Sequence, residues 1–527
     1  MNRRVLSWLL VAALCLPLMA GALTTAKEGF PIVDEKVTMT IANGQSPIQI
    51  DFNEVEILRN FEEVANIDMQ YRNIPYADRA TQLSLMLASG DVTDLLLKMN
   101  VSPTDQAKYA EEGIFVALSD YEEYMPNLYK WFEKFPSARE AVTQADGKIY
   151  AAPYILAGDA IRMGTKVFFN TEVMKALGHD TIPTTIDGLL EYLRASRKLD
   201  YNANGQEDEI PLSAADIDNL LLPFLCSFGL ANRGGAHVNV LVDADGKLQF
   251  AWASEQYRQM LRFFNTLYTE KLIDQDIFTM DFAQLIAKVA TGRVLTYNFV
   301  NNSPAAGSPY EALSLGITEP FEGPNGDKFW APYTLPARAN GEFLMTYKCQ
   351  YPEAAARWID HWYSDEGIIS YFMGIEGVTY EKDAASPGGL KLTDYVLKNP
   401  EGINFEQVLA KYVPWAGGSN PSVATNEFFK GGETWPASVA SADGLVNFVP
   451  ETIWVPFSRY NTAEEASEMS QLLTELLTYN REWRGYFITG QKSLDTDWET
   501  FVNGFAGMKL ERYMELYQKG VTLAGAE

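Results

Sequence analysis

Val37 to Gly44 reads V-T-M-T-I-A-N-G, apolar and polar residues alternating up to an Asn-Gly turn signal. A period of two predicts a strand with one face buried. Phe52 to Asn66 then carries Val55, Ile57, Leu58 and Phe61 at helical spacing, and I-D-M-Q-Y-R follows as a second strand. Tyr76 to Ser89 reads as a second helix, stopped by Ser89-Gly90-Asp91, and Asp94 to Met99 as a third, apolar strand. Strands and helices alternating at these lengths predict βαβ units and a parallel sheet. The pattern starts again at Lys166: strand V-F-F-N, a helix from Thr171 to Leu177 and another from Thr185 to Leu199. Two such units predict an α/β protein of two lobes, and open α/β sheets bind ligands beyond the carboxyl ends of their strands.

The second unit runs into D-Y-N-A-N-G-Q-E-D-E-I-P, Asp200 to Pro211. Oxygen-bearing side chains stand at Asp200, Asn202 and Asn204, and Gly205 permits a sharp turn, which is how a calcium loop opens. An EF-hand closes on a bidentate Glu at its twelfth position, but here that residue is Pro211. Asp208 and Glu209 would have to supply the last carboxylates, with the Gln206 carbonyl between. The competing reading is a polar Asn/Gly turn that needs no metal.

Outside these units the chain sets bounds on function. M-N-R-R, an apolar run from Val5 to Met19 and Ala20-Gly21-Ala22 predict a secretory signal peptide (1–22) cut after Ala22, hence an extracytoplasmic protein: secreted, on the cell surface or periplasmic. Cys15 follows Leu14, where lipid attachment needs a small residue, so lipidation is not expected. Cys226 and Cys349 are too few for a disulfide framework. A formal charge of -27 argues against nucleic acid or an anionic membrane as partner. His179, His237 and His361 are isolated, and H-E-x-x-H, Cys/His clusters and G-x-S-x-G are all missing, which removes the support for zinc chemistry and triad hydrolysis.

The order of several segments resembles the extracellular solute-binding proteins of carbohydrate ABC transporters, the group that includes maltose-binding protein. L-A-S-G-D-V-T-D-L (Leu87 to Leu95), D-G-K-I-Y-A-A-P-Y (Asp146 to Tyr154), V-F-F-N-T-E-V-M-K-A-L-G with P-T-T-I-D-G-L after it, Y-T-E-K-L-I-D through A-T-G-R-V-L-T-Y-N, and Y-P-E-A-A-A-R-W-I-D-H-W-Y-S-D-E-G fall in family order. Y-F-M-G-I-E-G-V-T-Y (Tyr371 to Tyr380) and F-I-T-G-Q-K-S-L-D-T-D-W (Phe487 to Trp498) resemble the branch handling oligosaccharides, including alginate oligosaccharides. The resemblance implies a two-lobed periplasmic-binding-protein-like fold of type II, each lobe a mainly parallel sheet flanked by helices with the ligand cleft between them. It also implies a structural calcium ion on Asp200, Asn202, Asn204, Gln206 (main chain), Asp208 and Glu209. The function it implies is a monomeric, non-enzymatic binder that closes on a carbohydrate and delivers it to ABC permease subunits. Two alternatives stay open: a surface glycan-binding or sensing protein without a transporter, and a carboxylate-dependent polysaccharide-degrading enzyme.

A sugar cleft needs aromatic faces for C–H patches and carboxylates, amides or Arg for hydroxyls. Trp358 and Trp362, one helical turn apart, and Trp483 and Trp498 among C-terminal helices read as core. Trp330, Trp415, Trp435 and Trp454 stand in Pro/Gly-flanked loops and are candidate stacking faces, each with local packing as the alternative. Strand ends add Gln45, Lys98, Asn100, Tyr154, Tyr297 and Asn298, and the first crossover adds Asp159 and Arg162. Lobe one is expected over 36–156 and 320–376, and lobe two over 157–319 and 377–527, with the last helices free to pack across lobe one.

Overall fold

The Val37–Gln45 strand, β1, forms as expected, but its alternation stops at Ile41, after which Ala42, Asn43 and Gly44 are all buried. The cause is its central place. In the computed structural model, which describes residues 23–306, 308–399, 403, 405–416, 421–455 and 461–524, β1 is covered on both faces. It pairs in parallel with β2 (Ile67–Pro75) along its whole length, and with β3 (Leu95–Leu97) on its other edge. Between β1 and β2 runs α1 (Glu56–Ala65), ended by Asn66 in the left-handed conformation at φ 62°. Between β2 and β3 runs α2 (Arg79–Ser89), ended by Gly90 at φ 69°. Both helices start three or four residues later than the sequence suggested. The signal peptide at 1–22 lies outside the described residues.

The first sheet is completed by β4 (Phe115–Val116), β5 (Ala151–Leu156) and two strands from much later in the chain. Ala337–Thr346 inserts between β3 and β5, antiparallel to both, and Val423–Ala424 pairs in parallel on the outer edge of β5. Ile41, Leu95 and Phe343 face one core, while Ala42, Leu96 and Leu344 face a smaller one with α2. The second sheet has the order Ser314–Gly316, β6 (Lys166–Asn170), Thr296–Phe299, β7 (Ser213–Ala214). Val167, Phe169 and Leu295 enter its large core, and Phe168 and Tyr297 the small one opposite.

This is the two-lobed α/β arrangement expected, with one correction to the sheets. They are mixed rather than mainly parallel, because strands that return from the other lobe enter antiparallel: Ala337–Thr346 in the first sheet, β6 in the second. The lobe borders also move. Phe321, Trp330 and Ala331 pack in the second core, and Leu390, Val408, Trp415 and Val423 in the first. The second crossing is therefore near 332–337 instead of 320, and the chain stays in the first lobe to about 424 instead of leaving at 376. Helix Ala463–Thr489 packs along Glu255–Thr269 of the second lobe and also touches Pro103–Glu111 of the first. Trp358 and Trp362 are enclosed in the first core, and Trp498 is buried in the second with Trp483 partly buried against it. Cys226 and Cys349 are both free thiols.

Candidate ligand site between the lobes

Three segments join the two sheets. The first leaves β5 at Leu156 and enters β6 at Lys166. The second leads back into Ala337–Thr346, and the third runs from Val423–Ala424 to helix Pro436–Leu445. The first two lie side by side: Thr334 N donates to Arg162 O at 2.8 Å, Gly164 N to Pro332 O at 2.6 Å and Leu156 N to Pro336 O at 2.7 Å. The third joins through Ala157 N, which donates to Ala424 O at 2.8 Å. A Cβ at Gly158 would stand 2.0 Å from Asn426 Oδ1, so the contact between the first and third segments depends on that glycine.

On the first two crossings the side chains form one polar cluster. Tyr333 Oη donates to Asp159 Oδ1 at 2.6 Å, and the Arg162 guanidinium lies 4.2 Å from the centre of the Tyr333 ring. Arg162 Nε also donates to Thr334 O at 3.0 Å, which fixes its fork. Burial, and then the hydrogen bond to Asp159, push the Tyr333 phenol far above its usual range, so it stays a donor. Burial lowers Arg162 somewhat, against the pull of Tyr333 and Asp159. The Asp159 side chain remains 51% exposed. A half-exposed carboxylate beside a fixed guanidinium and a phenol offers both acceptors and donors to hydroxyl groups. Tyr333 was missed in the sequence, although the Pro-Tyr pair three residues past Trp330 marks it.

The strand-end candidates divide by burial. Lys98 is a correction: it is fully buried, and its Nζ is used by Gln49 Oε1 at 2.9 Å and Pro414 O at 3.2 Å. Its backbone is left-handed (φ 56°), with the carbonyl pressed against Gly44, where a Cβ would come within 2.2 Å. Burial brings its ammonium down to about 7 despite the nearby Glu342, and burial raises Glu342 to about 7. The Gln45 amide is turned to the carbonyls of Gln49 and Ile50, so it closes its own turn. Asn100 is exposed, at φ 53°.

Tyr154, Tyr297 and Asn298 are enclosed as well, because helices cover the strand ends. Tyr154 lies in the first core. Tyr297 stacks on Phe168 at 5.4 Å and shares a hydrogen bond with Ser314, and Asn298 Nδ2 donates to Leu220 O on the helix above it. Among the tryptophans, Trp330 is fully buried with its Nε1 unpartnered, and Trp415 is buried with its Nε1 on Phe372 O at 2.8 Å. Both are core plugs, not stacking faces. Trp435 and Trp454 are half-buried. Trp435, on the third crossing, lines a cavity of about 330 Å³ with Leu390, Phe405 and Lys430. Trp454 has the Arg233 guanidinium 5.5 Å from its ring, and its carbonyl accepts from His237 Nε2.

The Asp200 loop is drawn together by its own oxygens. Asp200 accepts from the main-chain N of Asn204 and Gly205, Asn202 Oδ1 from Asn204 N, and Asn204 Oδ1 from Gln206 N. Gly205 at φ 73° and Ala203 at φ 55° make the turn. Glu209 is 3% exposed; its Oε1 accepts from Asn202 N, while its buried Oε2 has no partner. Asp208 accepts from the amides of Asn202 and Asn204 and pairs with Arg293 at 2.9 Å, which hold its carboxyl below the usual range. Among the described residues no three acidic, His or Cys side chains converge to hold an ion alone. For the loop to hold an ion, the asparagines and the Gln206 carbonyl would have to supply oxygens beside the carboxylates. That all-oxygen composition, and the orphaned buried carboxylate oxygen of Glu209, fit a hard cation.

The bacterial extracellular solute-binding protein family matches residues 56–401, well over half of the chain. The fructooligosaccharide ABC transporter substrate-binding protein FusA of Streptococcus pneumoniae serotype 4 is 29% identical over 389 residues, 70% of this chain and 70% of that protein. The solved structure of FusA in complex with kestose covers 93% of this chain and 100% of its own at a TM-score of 0.74 and 23% identity. A solute-binding protein of Bifidobacterium longum infantis, described as binding HMO and associated with an ABC transporter, reaches a TM-score of 0.78 at 19% identity, over 92% and 99% of the two chains. The two structural likenesses establish the fold, and the family match establishes that the chain belongs to the bacterial extracellular solute-binding proteins.

Proposed function

We propose that the chain is the substrate-binding component of an ABC importer, working outside the cytoplasm as a monomer and capturing an oligosaccharide between its lobes. The observation that carries this reading is the relation to FusA over most of both chains, taken with a polar and aromatic cluster on the crossings. Each lobe has its own core and the crossings are thin, so the lobes can close as rigid bodies about them. Closure would bring Asp159, Arg162 and Tyr333 against sugar hydroxyls, and the closed form would be what the permease reads. No step here breaks a covalent bond. Calorimetric titration with a saccharide panel tests the reading: binding with the ligand recovered intact supports it, while cleavage products or no saccharide bound overturn it. The leader over 1–22 and cleavage after Ala22 belong to the same proposal, and the mass of the exported protein checks them.

The Asp200 loop is proposed to hold a structural calcium ion. Asp200, Asn202, Asn204, the Gln206 carbonyl, Asp208 and Glu209 would be its ligands. The loop joins the helix Ile186–Ser196 to Ile210, which bridges to Val294 beside the second sheet, so an ion there would pin a junction away from the crossings. A bound ion stabilises by mass action. Chelation should lower the melting temperature of the wild-type protein and leave Glu209→Gln unmoved; equal melting of the wild type with and without chelator would sink the calcium assignment.

A further inference from the structure

In the first lobe, α1 and the helix Asp365–Met373 wall a cavity of about 640 Å³ whose lining includes no residue of the three crossings. Ile57 and Ile369 give it an apolar wall, and Phe30 and Val64, 43% and 51% exposed, stand at its lip. The volume lies within the range of ligand pockets, about 300–1,000 Å³. His361 also lines the cavity. It is only 9% exposed, and neither ring nitrogen takes part in a hydrogen bond among the described residues. The ring is held by its stack on Phe61, with Phe30 and Trp362 edge-on. Burial and the Arg357 charge keep the imidazole neutral, so one nitrogen is an open acceptor and the other an open donor. Arg357 does not line the cavity, and its own charge is locally balanced: it donates to the carbonyls of Ala26 and Gly29 at 3.0 and 3.1 Å and stands 3.8 Å from Asp360.

The orphaned ring does not stand alone, because the same cavity carries charge of one sign. Asp365 and Glu366, both exposed in the first turn of their helix, line it, and the lining holds no Lys or Arg. Among the described residues neither carboxylate has an ion pair or a hydrogen bond. The start of that helix is pressed on the end of the helix bearing His361: a Cβ at Gly367 would stand 1.8 Å from His361 O. Imidazole and carboxylates therefore belong to one site. A second copy of this chain is a poor occupant, since it would bring more charge of the same sign.

We infer that this cavity binds a small organic cation, an alkyl- or arylalkylammonium whose apolar body lies along Ile57 and Ile369 and whose head donates to His361. Asp365 and Glu366 supply the opposing charge at the mouth, and the exposed ring of Phe30 covers the body from outside. The bare imidazole nitrogen gains the donor it lacks. The site is separate from the carbohydrate reading and does not rest on it.

The test is calorimetric titration of the exported protein, near neutral pH, with three probes of similar size: 2-phenylethylamine, 2-phenylethanol and phenylacetate. Saturation-transfer NMR detects binding too weak for calorimetry. The titrations are repeated with His361→Phe, which keeps the aromatic stack and removes the acceptor, and with the double variant Asp365→Asn, Glu366→Gln. Melting curves establish that each variant is folded. The amine should bind best, about tenfold more tightly than the alcohol, with phenylacetate weakest. Its affinity should fall about tenfold in His361→Phe and about three- to tenfold in the double variant, with saccharide affinity unmoved in both. No binding of the amine by either method overturns the site, and so does unchanged amine affinity in a folded variant. Alcohol or phenylacetate binding as tightly as the amine overturns the cation assignment. A Lys-rich peptide that binds, with the same dependence on His361, where the free amine does not would make the occupant a partner protein and overturn the small-molecule assignment.

Discussion

Replacing His361 with Phe should remove much of the acid sensitivity of the first lobe. His361 ends the helix Pro352–His361, stacked on Phe61 at 4.1 Å with Phe30 and Trp362 edge-on. A helix C-terminus favours an imidazolium, by about 0.3–1 kcal/mol. Burial and the neighbouring Arg357 outweigh that and bring the imidazole down to about 4. Unfolded, it titrates near 6.5. A folded value below the unfolded one means that the stability is whole above about pH 6.5 and is lost as the pH falls towards 4. At about 1.36 kcal/mol per unit, the loss near pH 4.5 is about 2.5 kcal/mol. Phe can keep the stack and cannot take the proton. His237, also brought down to about 4 by burial, and Asp360, raised to about 6, titrate in the same window but are present in both proteins. The measured quantity is therefore a difference of differences: wild type against His361→Phe, at pH 7 and near pH 4.5, by scanning calorimetry. The variant should gain about 5–10 °C on the wild type in the first-lobe transition between the two pH values. Parallel pH dependence in the two proteins would refute the buried neutral imidazole.

Other substitutions separate binding from folding. Gly323→Ala would put a Cβ 1.4 Å from Ser227 O, a backbone atom, and should cost the second lobe about 3 kcal/mol or more, read as a lowered melting transition. Tyr333→Phe removes the hydroxyl that Asp159 accepts and should weaken the best ligand of the saccharide panel about tenfold with little change in melting; unchanged affinity would take Tyr333 out of the site. Trp330→Phe removes an unpartnered buried N–H along with ring volume, so it should lower stability modestly and leave saccharide affinity alone; a selective loss of affinity would restore Trp330 as a ligand contact.

What the sequence reveals about this protein follows from how local each signal is. The alternation in V-T-M-T-I and the spacing of Ile57, Leu58 and Phe61 are properties of one element, so the strands and helices of both units were legible. The return of Ala337–Thr346 into the first sheet is not local: it depends on which edge is left open after β3 and β5, and no periodicity records that. The same limit explains the tryptophans. Trp330 and Trp454 look alike in sequence, each loop-borne and close to a Pro, yet one is enclosed by the second core and the other is half-open. Lys98 was misplaced for the opposite reason. The rule about strand ends put it at the right place, but Gln49 and Pro414, remote in sequence, had already taken its ammonium. Arg484 lies among residues that read only as a C-terminal helix, and its partner Asp218 is far earlier in the chain. A polar residue in this fold acquires a role when a distant segment either satisfies it or leaves it wanting a partner. An unpartnered polar atom does not settle the matter by itself, since Trp330 Nε1 is as orphaned inside the second core as Glu209 Oε2 is in the Asp200 loop; what separates them is that Glu209 stands among other oxygens and Trp330 among apolar side chains.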